Sequence, residues 1–343
     1  MMKLQHKFAS LVLIIALLVS VAYAGDVDRA GTTSGTQVQI PVGGRTLGMN
    51  GSDIAYTKGV DAVYWNPAGL SDFEGIVDGL FSSDNYIAGI SNNFFGLAFN
   101  TGASGVLAVS LKATTFGDIP LTTVEDMDGA SGATFSPTFS VMGLSYARKL
   151  TDRINVGLTA KLVYESVPRA SATALAFDFG LQYKDLVEVE GLSLGLAIRN
   201  IGTNMQYSGT GLLNTATAEG ESYDDYFYHP TSSDQLPASM EMGLSYKAGD
   251  MLMLSAVYQN SNTETDYLRV GTELNFADIG FVRAGYALQL KDPEAELGGS
   301  VFGLTLGAGV KFNVASTKVK VDYVFRPAQN FGSQNLICLG IGL

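Results

Sequence analysis

The stretch INVGLTAKLVYE, residues Ile154–Glu165, alternates between two kinds of side chain along its whole length. Apolar residues stand at every second position: Ile154, Val156, Leu158, Ala160, Leu162 and Tyr164. The positions between them are polar or small, with Val163 as the exception. A period of two residues is that of a β-strand, whose successive side chains point to opposite faces. The stretch therefore predicts a strand with one apolar and one polar face.

The same period recurs from about residue 74 to the end of the sequence. It predicts 14 strands, at Gly75–Ser82, Asn93–Phe99, Val106–Phe116, Phe135–Leu150, Ile154–Glu165, Thr173–Lys184, Leu192–Asn200, Ser239–Lys247, Met251–Tyr258, Tyr267–Phe276, Ile279–Leu288, Phe302–Phe312, Lys318–Phe325 and Asn335–Leu343. Short connections alternate with longer ones, among them Gly117–Thr134, Gly202–Leu236, Gln289–Ser300 and Arg326–Gln334. Short turns at one end, longer loops at the other and an even strand number are typical of an outer-membrane β-barrel.

A secreted all-β repeat protein or sandwich would also alternate in this way. However, the polar faces of these segments are rich in Gly, Ser, Thr and Ala, with scattered Lys and Glu, which suits a crowded lumen. Closure of the sheet also pairs the backbone of every strand, whereas in an open sheet the edge strands would have no hydrogen-bond partners in lipid. We therefore predict an all-β fold, a 14-stranded antiparallel transmembrane β-barrel. Aromatic girdles are expected near strand ends, at Tyr164, Tyr183, Tyr246, Tyr258, Phe276 and Tyr323.

Residues 1–24 have the pattern of a signal peptide. Lys3 and Lys7 precede the apolar run Leu11–Val19, and Ala22-Tyr23-Ala24 matches a small-x-small cleavage site. The alternative is an uncleaved anchor helix, but the apolar run is short for a membrane span. The sequence therefore predicts export, with cleavage after Ala24, to the outer membrane of a Gram-negative-type bacterium.

Composition argues against several classes of function. The formal net charge is −12, which is unfavourable for binding nucleic acid. Cys338 is the single cysteine and excludes an internal disulfide, and His229 is the one histidine after the signal peptide. The acidic stretch Glu125–Gly129 lacks the further ligands of a calcium loop. We therefore expect no enzyme activity, no cofactor and no metal site.

Residues 25–72 have no strand pattern, and they hold VGGRTLGMNGSDIAYTKGVDAVYWNPAGLS, Val42–Ser71. Asn66-Pro67 predicts a turn, and Tyr64 and Trp65 each combine a large apolar ring with one polar group. Such a segment requires partly polar surroundings in which to be buried, and a barrel lumen offers them. The sequence therefore predicts an N-terminal hatch, or plug, at 25–72 and a barrel at 73–343.

Within this segment, Gly43–Ser71 resembles the PorV/PorQ family, which is similar in turn to FadL-type outer-membrane fatty-acid channels. The resemblance implies a 14-stranded barrel with a hatch that carries an Asn-Pro-Ala motif. It identifies these hatch residues: Arg45, Gly48, Gly51, Tyr64, Trp65, Asn66, Pro67, Ala68 and Gly69. The chain departs from the family pattern at Asn50, where Gly is usual, and at Lys58-Gly59, where two acidic residues are usual. It also ends in Leu343, where many barrels end in an aromatic residue.

Two non-enzymatic functions follow from the resemblance. The first is a secretion accessory of a type IX-like system, which holds or delivers exported proteins through its outer loops. The second is a FadL-like channel for passive transport of hydrophobic small molecules such as long-chain fatty acids. The expected partners are outer-membrane lipid with secretion components and exported proteins in the first case, and a hydrophobic ligand in the second. The inferred luminal face is mostly small or charged, which favours the first; a purely structural or assembly role is a third possibility.

The longest loop, 202–236, contains EGESYDDYFYHP, Glu219–Pro230, which mixes acidic and aromatic residues. Exposed aromatic side chains often mark a contact surface, so this loop is a candidate recognition surface. The alternative, which the sequence favours equally, is a loop that packs its own aromatic rings over the barrel mouth. The eight charged residues expected to face the lumen and to neutralise one another are Lys161, Glu165, Arg199, Glu241, Arg269, Glu273, Lys320 and Asp322.

Overall fold

The computed structural model describes residue 29 and residues 31–73, 75–217, 219, 222–290 and 301–343. The predicted signal peptide, residues 1–24, lies outside the described residues. In the described ranges, no helix is both long and apolar enough to cross a membrane.

Fourteen strands form one closed antiparallel barrel, which confirms the predicted fold class. The barrel strands are β1 Val77–Asn85, β2 Ser91–Asn100, β3 Val106–Thr115, β6 Thr138–Lys149, β7 Ile154–Val167, β8 Ala170–Tyr183, β9 Leu192–Gly202, β12 Ser239–Ala248, β13 Leu252–Ser261, β14 Tyr267–Phe276, β15 Gly280–Gln289, β16 Leu304–Val314, β17 Thr317–Ala328 and β18 Gly332–Gly342. Two small hairpins stand in loops: β4 Ile119–Pro120 with β5 Thr134–Phe135, and β10 Leu213–Thr217 with β11 Asp224–Tyr228. Pairing of β1 with β18 closes the barrel.

The two faces of the wall divide as the period of two predicts. In β7, Leu158 and Leu162 are exposed on the outside, whereas Thr159 and Lys161 are buried in the lumen. Large apolar side chains are exposed all around the exterior, among them Phe95, Leu144, Phe179, Val282 and Ile337. A closed wall with an apolar exterior satisfies its backbone internally and suits a hydrocarbon environment.

One connection at the longer-loop end is shorter than the sequence indicated. Residues 326–334 were expected to form a loop, because they are polar and include Pro327, but β17 and β18 stay paired as far as Ala328 and Gly332. The polar side chains Arg326 and Gln334 are buried in the lumen, so their polarity marks the inner face and not the end of a strand. Polarity alone does not distinguish a loop from a luminal strand position.

One of the expected girdle residues is buried. Tyr258 is 5% exposed, and its hydroxyl donates a hydrogen bond to Asp266 Oδ2 at 2.6 Å. Asp266 lies in the turn between β13 and β14 and also accepts from Asn260 Nδ2 at 2.8 Å. The hydrogen bond to this turn therefore keeps Tyr258 buried, and Tyr258 is not part of an exposed aromatic girdle.

Residues 36–73, here named the luminal segment, lie inside the barrel. They form five helical turns, Thr36–Gln39, Gly44–Gly48, Gly59–Asp61, Ala62–Trp65 and Pro67–Asp72. Their buried apolar side chains pack with those of the wall, for example Val42, Leu47, Val60 and Trp65 with Phe94 and Val257. That this segment acts as a hatch, and that it forms a unit separate from the barrel, stay predictions.

Glycines in the wall let the luminal segment approach closely. A Cβ atom at Gly157 would stand 2.3 Å from the Pro67 carbonyl carbon, and one at Gly195 would stand 2.6 Å from Ala55 Cα. Both distances are far shorter than a van der Waals contact, and both involve backbone that cannot rotate away. The abundance of glycine on the polar faces thus reflects the lack of space between wall and segment.

Candidate functional site

Two cavities lie at opposite ends of the lumen and share no lining residue. The loop-side cavity, at the end with the longer loops, has a volume of about 420 Å³. The turn-side cavity, at the end with the short turns, has a volume of about 400 Å³. The helical turns Gly44–Gly48 and Ala62–Trp65 contribute to the boundary, because Arg45 lines the turn-side cavity whereas Leu47 and Trp65 line the loop-side one. The luminal segment therefore separates two compartments.

Aromatic rings line the loop-side cavity: Tyr64, Trp65, Tyr86, Phe116, Phe139, Tyr267 and Phe302. Of these seven, only Phe139 and Tyr267 stand in barrel strands. The others come from the luminal segment and from loops, as do the aliphatic side chains of Ile40, Leu47 and Ile87. The apolar lining is thus supplied mainly by the parts of the chain that lack the strand period.

Tyr64 and Trp65 stack edge to face, with ring centroids 4.9 Å apart. Their polar atoms are already bonded, since Trp65 Nε1 donates to the Val42 carbonyl at 2.8 Å and the Tyr64 hydroxyl donates to the Gln39 carbonyl at 2.8 Å. Burial raises the pKa of Tyr64 to about 12, so its hydroxyl stays a neutral donor. Both rings therefore offer the cavity their apolar surfaces.

A β-bulge between β8 and β9 brings two adjacent polar residues into the lumen. The register shifts between Phe177 and Phe179, and Asn200 on β9 has φ 60°. As a result, Arg199 and Asn200 both line the loop-side cavity, although neighbours in a regular strand would face opposite sides. Asn200 is tied in place by a bond from Lys161 Nζ to its Oδ1 at 2.7 Å. The period of two could not predict this departure.

Three arginines line the loop-side cavity. Arg199 pairs with the buried Glu241, and Arg269 Nη2 stands 3.7 Å from the same carboxylate. Arg326 instead lies with its guanidinium 4.1 Å from the Phe302 ring centroid and donates from Nη1 to Gln334 Oε1 at 2.8 Å. The cavity therefore combines an aromatic lining with positive charge.

An ionic network joins the luminal segment to the wall beside the turn-side cavity. Arg45 reaches Asp53 at 2.6 Å and Glu273 at 3.1 Å, and Arg283 contacts Glu273 and Asp322 at 2.6 Å each. Lys320 completes the network, 3.1 Å from Asp322 and 3.3 Å from Asp61. Burial raises the pKa of Asp53, and the adjacent Arg45 opposes that shift. A buried charge is tolerable only when it is paired, so this network stabilises one position of the segment.

The eight charged residues predicted to face the lumen all do so, and several neutralise one another as expected. The sequence reasoning missed Arg283 and Asp178 in the wall. Asp178 pairs with Lys161 at 2.5 Å. It also missed that Asp53 and Asp61 of the luminal segment supply part of the negative charge.

The residues Asn66–Gly69 of the sequence motif lie against β7 and β8. Asn66 Oδ1 accepts from the Ala68 amide at 3.2 Å, while its Nδ2 donates to the carbonyls of Ile54 and Leu181 at 2.9 and 3.2 Å. Pro67 contacts the wall at Gly157, and a Cβ at Gly69 would stand 2.1 Å from the Thr57 carbonyl oxygen. The motif thus fixes a turn that fits between the backbone of Thr57 and the wall.

The remaining motif residues lie between the two cavities. Gly48 packs on Arg283, and a Cβ at Gly48 would stand 3.1 Å from Arg283 Cδ. Gly51 has φ 74° and touches the Trp65 ring. Asn50, one of the departures from the family pattern, has φ 57°, a left-handed conformation that Gly adopts most easily and that Asn tolerates. The roles of these residues as a hatch motif stay predictions.

Within the described residues, no group of three His, Cys, Asp or Glu side chains is placed to hold a metal ion. His229 is exposed in the long loop, where its backbone amide donates to the Leu212 carbonyl at 2.9 Å.

No family profile and no curated protein matches the chain. Solved structures do match it. The CymD monoaromatic hydrocarbon channel is 14% identical, with 88% of this chain and 96% of that chain covered and a TM-score of 0.56. The toluene transporter TodX of Pseudomonas putida is 12% identical, with 88% and 98% covered and a TM-score of 0.56. The toluene transporter TbuX of Ralstonia pickettii is 14% identical, with 88% and 97% covered and a TM-score of 0.55. At this level of identity, the similarity shows a shared fold.

Proposed function

We propose that the protein is a passive conduit for hydrophobic small molecules in the outer membrane of a Gram-negative-type bacterium. The observation that carries the proposal is the ring-lined cavity of about 420 Å³ at the loop end of a barrel with an apolar exterior. Ligand cavities of this kind are mostly apolar, with a few polar groups that orient the ligand. The shared fold with hydrocarbon channels supports the proposal, as does the hatch predicted from the sequence.

Passage through the barrel requires movement of the luminal segment, because the two cavities share no lining residue. The segment is held to the wall by the ionic network and by close packing on both sides. This packing occurs at Gly157 and Gly195 and also at Gly271 and Gly285, where a Cβ atom would stand 2.7 and 2.4 Å from Met49 backbone atoms. Movement of the segment therefore has to break both ion pairs and backbone contacts.

The secretion-accessory interpretation lacks a supporting observation. It was favoured because the luminal strand positions are small or charged, which argues against a greasy passage. That argument counted strand positions only, and the apolar lining comes instead from Trp65, Ile87, Phe302 and their neighbours in the segment and loops. A non-enzymatic transport role is therefore the function that the cavity supports best.

Uptake of radiolabelled toluene by intact cells tests the proposal. A Gram-negative host whose own hydrophobic channels are deleted should take up toluene faster when it expresses this protein than when it carries an empty vector. Equal initial rates, with the protein present and folded in the outer membrane, would contradict the conduit.

A reversible crosslink tests the movement of the segment. Ser52 Oγ lies 2.6 Å from Ser255 Oγ of β13, so Ser52→Cys with Ser255→Cys should form a disulfide between segment and wall. Oxidation should slow toluene uptake, and reduction should restore it. The matched control is Thr46→Cys with Thr57→Cys, whose side-chain oxygens are 3.1 Å apart within the segment, and its oxidation should leave uptake unchanged.

A further inference from the structure

We infer that the loop-side cavity takes a small aromatic carboxylate, whose ring packs among the aromatic side chains and whose anionic group is bound by Arg326. This inference rests on the proposed function, since it names the chemical class of molecule that the conduit accepts.

Arg326 is the first observation. Among the arginines of the described residues that face the lumen, Arg45, Arg199, Arg269 and Arg283 each have a carboxylate within 4.0 Å, whereas Arg326 has none. Arg326 is 7% exposed, its bond to Gln334 is its one hydrogen bond to a described residue, and its Nε has no partner there. Burial of a cation without a carboxylate is unfavourable. A ligand carboxylate, which matches the planar guanidinium, would remove this cost.

The charges around Arg326 also favour an anion. Gln334 lies between Arg326 and Asp84: its Oε1 accepts from Arg326, and its Nε2 donates to Asp84 Oδ2 at 2.5 Å. Of the lining residues, Glu264 is acidic and accepts a bond from Gln39 Nε2 at 2.9 Å. Arg199 and Arg269 line the same cavity and share one carboxylate behind it. Among the lining residues themselves, three arginines therefore stand against one carboxylate, so the surface that a ligand meets is positive.

The rings determine the other half of the ligand. Phe302 stacks under the Arg326 guanidinium and lies 5.7 Å from the Tyr86 ring, and Phe116 meets Phe139 edge to face at 4.8 Å. Aromatic pairs at such distances favour a further ring in offset or edge contact. Since Tyr64 and Trp65 donate their hydrogen bonds within the segment, these two rings leave the orientation of a ligand to the other polar groups of the lining, among which Arg326 is the cation without a paired carboxylate. A cavity of about 420 Å³ is near the lower end of the usual range, which selects a compact molecule.

Binding of benzoate and of its neutral isostere benzamide to the purified full-length protein tests the inference. Trp65 lines the cavity and is the only tryptophan in the chain, so its fluorescence reports on occupancy. We expect benzoate to bind more tightly than benzamide. Arg326→Met should weaken benzoate binding by about tenfold or more, as for loss of a charged hydrogen bond, and should leave benzamide unchanged.

Two further variants control for folding and for general charge. Arg326→Lys keeps the positive charge but lacks the planar guanidinium, so it should bind benzoate with intermediate affinity. This result would show that the weaker binding by Arg326→Met comes from loss of the charge and not from misfolding. Lys247→Met removes a cation from the turn-side cavity and should change neither affinity.

Equal binding of benzoate and benzamide, or full benzoate affinity in Arg326→Met, would overturn the inference and leave the conduit intact. Tighter binding of octanoate than of benzoate would also overturn it, because the cavity would then prefer an aliphatic chain to an aromatic ring as the apolar part of the ligand. Absence of toluene uptake together with Arg326-dependent benzoate binding would instead overturn the conduit and support the binding site.

Discussion

The two cavities have nearly the same volume but differ in the charged and aromatic residues that line them. The loop-side cavity is lined by rings and arginines, and the turn-side cavity by charges of both signs, among them Arg45, Lys58, Lys320, Asp61, Asp72 and Glu273. Strands β12–β15 and β17 contribute to both linings. The difference arises because loops and the Trp65 side of the luminal segment cover one end, whereas the Arg45 side of the segment covers the other.

This difference makes the two ends of the lumen unequal in their contacts with an apolar molecule. An apolar molecule packs against rings at the loop end, whereas at the turn end it meets apolar side chains such as Leu80 and Met251 among paired charges. Transfer of apolar surface from such a ring-lined site into water is unfavourable, so movement of the segment alone does not empty the loop-side cavity. Release into an acceptor at the turn end, such as a binding protein or lipid, follows as a requirement of the proposed function.

The largest effect is expected from removal of Trp65, which is 3% exposed at the boundary of the loop-side cavity. Trp65→Ala should lower the free energy of unfolding by about 3–5 kcal/mol, because truncation of a buried Trp leaves a cavity. It should also join the two compartments, which conductance in planar bilayers would detect. Tyr223→Ala, in the exposed part of the long loop, is the control and should change neither quantity.

The native protein offers a complementary measurement at the same position. Fluorescence of Trp65 should be shielded from aqueous quenchers until the protein is denatured, since the indole is buried and bonded to Val42. Free quenching in the folded protein would mean that the segment does not occupy the lumen and that the two cavities are one.

The next largest effect concerns the wall that surrounds both cavities. Leu158 faces outwards and Thr159 faces the lumen, where its Oγ1 lies 2.8 Å from Ser145 Oγ. Leu158→Arg should cost about 2–4 kcal/mol at mid-membrane, and Thr159→Arg should impair assembly less because the lumen is polar. Heat-dependent gel mobility of the two variants measures this difference. The reverse order would exchange the inner and outer faces.

Much of the wall was predictable, because a two-residue period needs only the sequence and is repeated 14 times. All 14 barrel strands were predicted, as were the luminal positions of residues such as Glu241 and Arg269. What failed depends on contacts between distant segments. The bulge at Asn200, the burial of Tyr258 by Asp266 and the paired hairpin ends at Arg326 have no signature in a local period. The apolar loop-side cavity was missed for the same reason, since its rings are far apart in sequence.

A smaller effect is expected at the edge of the turn-side cavity. Asp72 binds Lys149 at 2.9 Å and also pairs with Lys184, which joins the luminal segment to two short turns. Burial alone would raise the pKa of Asp72, but the hydrogen bonds from Lys184 and Lys149 outweigh it and lower the pKa below 3.8. Because the folded-state pKa is lowered, the stabilisation is present above pH 3.8 and is lost as the pH falls through the folded-state value.

Asp72→Asn should therefore lower the free energy of unfolding at pH 7 by about 0–1 kcal/mol, since both lysines are partly exposed to solvent. The difference from the unsubstituted protein should disappear in acid, and urea titrations at pH 7 and below pH 3.8 would measure it. A difference that persists below that pH would assign the effect to packing and not to charge.

The smallest effect is expected from the hairpin of β10 and β11, which carries aromatic side chains that neither cavity uses. Tyr223, Tyr226 and Tyr228 are all exposed in and beside it, so the structure does not show them packed over the barrel mouth. Replacement of the three by Ser should change the free energy of unfolding by less than about 0.5 kcal/mol each, as is usual for surface positions. Toluene uptake should also stay the same, because the ring-lined cavity is intact. A secretion accessory would give the opposite pattern, with proteins lost from the cell surface and unchanged uptake in the Trp65→Ala variant. Measurement of the surface proteome and of toluene uptake in both variants therefore shows whether the protein works through its lumen or through its longest loop.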